Sequence, residues 1–210
     1  MFSVSRTAVR EALRMLSARG LITVRKRRGM FVSDMSTSPA VSALGLFLEL
    51  KFDKDYILHV FNVRRVIEPE VCRWAAKNRS PEDLALLRNN LEKMEECDPA
   101  DREVESALDQ EFHSTITAAS KNPIAPIVLE PIFTLMPKIR AMVYENIADC
   151  KSTALDFHRE ICDAIERQDE EQACALMLDH ITRAALQASV AIDRINALQK
   201  IVGVQEQMPT

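Results

Sequence analysis

A chain of 210 residues is long enough for one sizeable hydrophobic core, or for a small domain joined to a larger one. Its composition, with only 4 glycines and 5% aromatic residues, favours helix over sheet. The sequence has no apolar run that could span a bilayer, no signal-peptide pattern and no C-x-x-C pair among its five cysteines, so we expect a cytoplasmic protein with reduced thiols.

The net charge of −4 is divided unevenly along the chain. Residues 1–33 hold eight basic residues and one acidic residue, whereas the rest of the chain holds 19 basic and 30 acidic residues. A basic N-terminal segment, residues 1–33 (the head), followed by an acidic remainder predicts that the head binds nucleic acid and is joined to a domain with a different function. A basic surface without a partner is the alternative on charge alone.

The basic head reads as a short helix followed by a hairpin. Ser5 can cap a helix that runs to about residue 19, and Arg6, Thr7 and Arg10 project near its N-terminal end. This is the geometry of a recognition helix, whose first residues reach base edges and phosphates. Two short extended segments flank the basic tip 25–29, which is typical of a β-hairpin wing.

The segment SVSRTAVREALRMLSARGLITVRKRRGMFV, residues 3–32, resembles the second half of the winged helix-turn-helix of GntR-family transcription regulators. The resemblance implies operator DNA as a partner. It places base and phosphate contacts on Arg6, Thr7 and Arg10, and the wing-tip contacts on Arg28 and Gly29. Glycine suits the tip because it lets the backbone approach a groove closely.

The family has two further helices before the recognition helix, and this sequence starts just before it. The apolar stripe of Val9, Leu13 and Leu16 would then lack packing partners, and a helix this short is marginal alone. We therefore predict that these 210 residues bind operator DNA weakly or not at all, and that a restored upstream start recovers binding. The alternatives are a trimmed chain, a misplaced start codon, or a regulator that has lost its DNA-binding function.

A polar linker is predicted over residues 34–40, followed only by helices. The fold class is mostly α: a partial winged helix-turn-helix at 1–33, then an all-α antiparallel helical bundle over 41–202, with a polar tail at 203–210. Pro131 and Pro137 should break or kink the stretch 124–149. The predicted helices cover 41–51, 54–78, 81–97, 101–120, 124–149, 152–168 and 170–200.

Two histidines lie on the apolar faces of the last two predicted helices. His158 and His180 are each eleven residues from Asp169, about 16 Å along their helices at about 1.5 Å per residue. In an antiparallel hairpin that turns at Asp169, the two rings lie at the same height. Upstream, Asp109 and His113 are spaced i,i+4 and share one helix face. Hydrogen-bonded core histidines are the alternative to a metal site.

Arginines near the same core raise a second possibility. Arg64 falls in the inward stripe of its helix, as does Glu68 four residues later. They form either an internal ion pair, or a site in which Arg64 holds the carboxylate of a ligand. Arg140 is another candidate donor, although we expect it to be exposed.

The segment FNVRRVIEPEVCRWAAKNRSPEDLALLRNNLEKMEEC, residues 61–97, resembles the opening of the FCD effector domain of FadR-type GntR regulators. The resemblance covers about residues 3–195. Many FCD domains carry a metal site on a D-x-x-x-H pair and two later histidines. The positions that match are Asp109, His113, His158 and His180.

Three imidazoles and one carboxylate suit zinc, nickel, manganese or iron, and we place zinc first. The four ligands either close a tetrahedral structural site or leave two positions of an octahedral ion open for water or a ligand carboxylate, which we favour. We thus expect a homodimeric regulator whose small carboxylate effector binds the metal and Arg64. A metal sensor and a metal-dependent enzyme are the alternatives. Against the enzyme, Glu111 should point away from the face of Asp109 and His113.

Overall fold

Helix dominates the chain, as its composition predicts. The computed structural model describes residues 4–33, 38–98, 101–147 and 150–205. The predicted fold class, a partial winged helix-turn-helix followed by a helical bundle, is confirmed. In chain order the elements are α1 (Arg6–Ala18), β1 (Ile22–Arg25), β2 (Gly29–Val32), α2 (Ser38–Lys51), α3 (Lys54–Asn78), α4 (Pro81–Glu96), α5 (Arg102–Ala119), α6 (Ala125–Phe133), α7 (Met136–Asn146), α8 (Cys150–Glu166) and α9 (Glu170–Gln205).

The N-terminal head is a capped helix and an antiparallel hairpin. Ser5 Oγ accepts a hydrogen bond from the backbone N–H of Ala8 at 3.1 Å, which satisfies one of the donors at the start of α1. The strands pair with Arg25 opposite Gly29, so the basic tip lies at the turn. No residue of α1 is buried, and Val9 is 43% exposed. The apolar stripe of α1 is thus largely open to solvent.

The helical part differs from the prediction in its boundaries. Helix α2 begins at Ser38, so residues 38–40 belong to this helix and not to the linker, whose residues 34–37 lie outside the described part. Helix α9 continues to Gln205, beyond the predicted start of the tail, and residues 206–210 lie outside the described part. The predicted break in 124–149 is confirmed: α6 ends at Phe133 and α7 begins at Met136. None of the described helices is long and apolar enough to cross a membrane.

Helix α3 is the centre of the bundle, since it packs against α5, α6, α8 and α9. Helices α8 and α9 form the expected hairpin. Gln168 takes a left-handed conformation with φ of 55° at the turn, and Asp169 Oδ1 accepts a hydrogen bond from the backbone N–H of Gln172 at 3.0 Å. This cap starts α9 where the sequence places it, so the two helices run back along each other and bring His158 level with His180.

Helix α2 joins the head to the bundle at two close approaches. Gly45 is buried against α6, where an added Cβ would lie 3.3 Å from Thr134 Oγ1. At the other end, an added Cβ on Gly20 would lie 2.5 Å from Pro39 Cγ, so the turn after α1 touches the start of α2. Glycine at both positions permits contacts that a side chain would prevent.

A larger residue at the α2–α6 contact should separate the two helices. We expect Gly45→Leu to lower the free energy of unfolding by about 1–3 kcal/mol, because the added atoms overfill a close contact. Urea unfolding followed by circular dichroism measures the change. Ala43→Leu, at an exposed position on the same helix, is the control and should change it by less than about 0.5 kcal/mol. Equal values for the two variants would contradict the packing described here.

Candidate metal centre and effector pocket

Three helices of the bundle supply the predicted metal ligands. Helix α5 carries Asp109 and His113, α8 carries His158 and α9 carries His180. Each of these residues is 4% exposed or less, which is unusual for side chains of their polarity. Residues from separate parts of the sequence therefore meet inside the core, as their helical faces predict.

The ligand atoms converge on one small space. His180 Nε2 lies 3.3 Å from His158 Nε2 and 3.3 Å from His113 Nε2. Asp109 Oδ1 lies 3.4 Å from His158 Nε2, and Asp109 Oδ2 lies 4.0 Å from His113 Nε2. One ligand atom from each of the four residues lies within 4.8 Å of those of the other three. The predicted set is thus assembled in space.

This donor set fits a divalent cation. Two ligands about 2.0–2.1 Å from one ion at the tetrahedral angle are about 3.3 Å apart, which matches the spacing of the ring nitrogens. Burial lowers the pKa of His158 and of His180 well below 6.5, so both rings are neutral and can offer an electron pair. Asp109 Oδ2 has no hydrogen-bond partner in the described part of the chain, so a buried oxygen is left for a cation.

Glu68 orients one of the rings. Its Oε2 lies 2.7 Å from His113 Nδ1, within ion-pair distance, and His113 Nε2 faces the ring of His180. Burial would raise the pKa of Glu68, but the positive charge of Arg64 and the contacts with Arg64 and His113 outweigh burial and lower it to about 2. Sequence spacing paired Glu68 with Arg64 alone. The contact with His113 joins α3 to α5 and has no local signal in the sequence.

Arg64 forms the internal ion pair that its i,i+4 spacing allows. Its side chain is 2% exposed, and its guanidinium contacts both carboxylate oxygens of Glu68, Nε with Oε1 and Nη2 with Oε2 at 3.3 Å. Nη1 lies 3.2 Å from Met136 Sδ. Arg64 also borders the pocket described below. The residue proposed as a ligand clamp is therefore at the pocket, but it is held by Glu68.

The expectation that Arg140 is exposed is wrong. Its side chain is 14% exposed, and Nη2 forms an ion pair with Asp109 Oδ1. Nη1 donates to the hydroxyl of Tyr144 at 3.0 Å, and that hydroxyl donates to Glu105 Oε1 at 2.8 Å. Burial would raise the pKa of Asp109, but the positive charge of Arg140 outweighs burial and lowers it. Arg140 is one helical turn after the buried Met136 and lies between the buried Ile139 and Val143, so it falls on the inward face of α7.

A pocket opens beside the cluster. Its empty space is about 530 Å³, part of it open to solvent. His180 forms part of its wall, so the pocket reaches one of the four candidate ligands. Three arginines, Arg64, Arg140 and Arg183, border the same pocket together with apolar side chains such as Phe61. A concave, mainly apolar site with a few convergent cationic groups is suited to a small anion.

The residues predicted to bind DNA all lie on the surface of the head. Exposed positions are found for Arg6, Thr7, Arg10, Arg28 and Gly29. Gly29 has a φ of 102°, and an added Cβ would meet no atom within 4 Å, so glycine is required there by the backbone conformation and not by crowding. These positions are free to approach a nucleic acid.

Comparison with known proteins identifies both parts of the chain. Residues 59–183 match the FCD domain, and residues 1–32 match the bacterial regulatory proteins of the gntR family. This chain is a GntR-family regulator with an FCD domain. Residues 33–58, which include α2 and the start of α3, lie between the two matches.

Relatives of this regulator extend over most of its length. The galactonate operon transcriptional repressor of Escherichia coli is 30% identical over 192 residues, covering 87% of this chain and 81% of that protein. The transcriptional regulator LutR of Bacillus subtilis is 28% identical, covering 86% of this chain and 83% of its own. The solved structure of a GntR protein from Streptococcus agalactiae superposes with a TM-score of 0.67 at 28% identity, covering 87% and 82% of the two chains.

These relatives are transcription regulators, so the chain is a regulator and not an enzyme. Two carboxylates near the cluster, Glu111 and Glu68, are the candidates for a general base, and their positions agree with that assignment. Glu111 is exposed on α5, on the side away from the cluster. Glu68 is held by Arg64 and His113. Neither carboxylate is placed to activate a water molecule on the cluster.

Protonation of the buried histidines should make stability depend on pH. The pKa of His158 and of His180 is lowered in the folded state, so below pH 6.5 the unfolded chain binds protons that the folded chain does not. This contribution to stability is present above pH 6.5 and is lost as the pH falls, by up to about 1.4 kcal/mol per histidine per pH unit. We expect a lower free energy of unfolding at about pH 5.5 than at about pH 7.5 for protein freed of metal with EDTA.

Urea unfolding at the two pH values measures this difference. His158→Gln should reduce it, because one of the two neutral rings is gone. His59→Gln is the matched control: His59 is exposed on α3, and its replacement should leave the difference unchanged. The same pH dependence in all three proteins would show that the buried rings do not cause it.

Proposed function

We propose that this regulator binds a divalent metal ion at Asp109, His113, His158 and His180 and a small organic acid in the adjoining pocket, and that the acid controls operator binding. Zinc, nickel, manganese and iron all suit the ligand set, with zinc first. When bound, the ion supplies a positive charge and a coordination position for a carboxylate. Acting on operator DNA, the protein would work in the cytoplasm as a homodimer.

The observation that supports this proposal is the shared wall of cluster and pocket. His180 contributes to both, so a ligand in the pocket lies beside the metal position. Arg64, Arg140 and Arg183 border the same space and offer guanidinium groups for a carboxylate. A purely structural ion would need no such pocket, and an anion pocket alone would not need four converging ligands.

The remaining side chains of the pocket favour a hydroxy acid. Besides the arginines and His180, the pocket is lined by the polar side chains of Tyr144, Thr153 and Gln187 among apolar ones. Hydroxyl and amide groups of this kind select a ligand that carries hydroxyls of its own. The relative from Escherichia coli represses a galactonate operon, and galactonate is a sugar acid with a carboxylate and several hydroxyls. We therefore infer a hydroxy acid of this type as the effector class.

The head would read DNA through the exposed residues Arg6, Thr7, Arg10, Arg28 and Gly29. The N-terminal end of α1 suits a major groove, and the hairpin tip suits the adjoining backbone or minor groove. The acid can change DNA binding only if it binds one arrangement of the two heads in the dimer more tightly than the other. Exposed apolar residues on α3, Val63 at 43% and Val66 at 78%, are available to a second copy of the chain.

Loss of one imidazole should abolish metal binding. We expect His158→Ala to retain at most a small fraction of the zinc that the wild type holds after dialysis, and to lose the rise in melting temperature that zinc gives. Metal analysis and thermal unfolding of EDTA-treated protein, titrated with zinc, nickel and manganese, measure both. His59→Ala, at an exposed histidine outside the cluster, should behave like the wild type. Equal zinc content in the wild type and in His158→Ala would contradict the proposed metal site.

The acid is tested on the metal-loaded protein. Glycolate, lactate, gluconate and galactonate form a series of hydroxy acids of increasing length. We expect at least one to raise the melting temperature further, and to do so less in the EDTA-treated protein. Stabilisation by metal with no further shift from any of these acids would favour a metal sensor instead.

We predict that a polypeptide of these 210 residues binds DNA weakly, because no residue of α1 is buried in the described head. A gel shift with the DNA that precedes its own coding sequence, against an unrelated fragment of equal length, tests this. Arg10→Ala should weaken any remaining binding further, whereas Lys77→Ala, at an exposed position on the bundle, should not change it. Tight, sequence-specific binding by the 210 residues would contradict the prediction.

A further inference from the structure

Arg140 touches both halves of the proposed site. Its Nη2 is paired with Asp109 Oδ1, one of the candidate metal ligands, while its side chain borders the pocket. Nη1 is anchored to the hydroxyl of Tyr144 at 3.0 Å, and Nε has no hydrogen-bond partner in the described part of the chain. Arg140 is therefore only partly satisfied, with spare donor capacity next to the pocket.

The other buried arginine of the pocket is held differently. Arg64 contacts both oxygens of Glu68 and the sulfur of Met136. Moving it would leave the buried carboxylate of Glu68, which also contacts His113, without its positive partner. The partner of Arg140 is instead Asp109, the residue that a metal ion would engage. Of these two arginines, only Arg140 is paired with a candidate metal ligand, Asp109.

The formal charges around the cluster also favour a new partner for Arg140 once a metal ion binds Asp109. Three carboxylates and two guanidiniums lie in the interior of the site, so their sum is −1 when the imidazoles are neutral; Arg183 is exposed to solvent and is not counted. A divalent cation changes this sum to +1, and one carboxylate from an acid returns it to zero. Unpaired charge in a buried site is costly, so metal binding creates the demand for an anion. The five groups are Glu68, Glu105, Asp109, Arg64 and Arg140.

We propose that Arg140 couples the metal to the acid by exchanging partners. While no metal is bound, Arg140 neutralises Asp109. A divalent cation on the Asp109 carboxylate would repel the guanidinium. The guanidinium would then turn toward the acid while keeping its hydrogen bond to Tyr144. This inference rests on the proposed function, since it assumes the metal and the acid of that site. It assigns to Arg140 the role of a positioning and specificity residue that links two ligands.

The exchange has a consequence of opposite sign for the two ligands. Arg140 competes with the metal for Asp109 and repels it, so its removal should strengthen metal binding. The same removal takes away a donor for the acid, so it should weaken acid binding. Because coupling between two ligands is reciprocal, it should also reduce the amount by which an acid raises zinc affinity. A residue that merely supports the fold or orients Asp109 would weaken metal binding when replaced.

Zinc affinity measured against a competing chelator dye provides the test. We expect folded Arg140→Gln to bind zinc roughly fivefold or more tightly than the wild type, within the range of typical coupling between sites. Galactonate and gluconate, added at a fixed concentration, should raise zinc affinity in the wild type and raise it at least about fivefold less in the variant. Arg159→Gln, an arginine on α8 that pairs with Glu95 and Asp156 at the surface, is the matched control and should behave like the wild type.

Each outcome separates this inference from the proposed function. Unchanged or weaker zinc binding by folded Arg140→Gln, or an undiminished response of that variant to the acids, overturns the exchange while leaving the metal site intact. Failure of the wild type to bind zinc, or equal zinc in His158→Ala, overturns the proposed function itself. Circular dichroism checks folding, and Arg140→Met, which removes the charge but keeps an extended side chain, carries the same zinc expectation should Arg140→Gln fail to fold.

Discussion

Three ring nitrogens that meet in a buried space constrain the whole bundle. A neutral imidazole has one N–H and one electron pair. His180 Nε2 lies 3.3 Å from two other ring nitrogens, and burial lowers the pKa of His158 and of His180, so these two rings stay neutral. A cation accepts all the electron pairs at once. The cluster could therefore hold a metal ion.

The packing of the helices follows from that constraint. Helix α3 lies in the middle and supplies Glu68 to orient His113 on α5, while the α8–α9 hairpin sets the other two rings at one height. His158 is stacked on Phe112, with 4.1 Å between ring centroids, so its plane is fixed by an apolar neighbour. Apolar packing and polar orientation therefore act on the same side chains, and the core supports the site directly.

Local signals placed the two pairs on inward faces, and the family resemblance joined them into one candidate ligand set. Asp109 and His113 share a face by i,i+4 spacing, and equal distances from Asp169 level His158 with His180. Arg140 was mispredicted since its direction depends on where α7 restarts after the break, and a shift of one residue turns a helical side chain by about 100°. The contact between α3 and α5 through Glu68 was missed for a related reason: pairing between helices depends on their rotation, which periodicity alone does not determine.

A signal from the pocket has a continuous packed path toward the head. Arg140 lies on α7, which begins directly after the break at Thr134, and Thr134 touches Gly45 of α2. Helix α2 in turn meets the head where Pro39 contacts Gly20, immediately after the recognition helix. Contact alone does not make this path a switch, because a ligand shifts an equilibrium only by its difference in affinity for two arrangements. In the proposed exchange the metal releases Arg140 from Asp109 and the acid receives it, so control of DNA binding requires the two positions of Arg140 to favour different arrangements of α7 and, through α2, of the head.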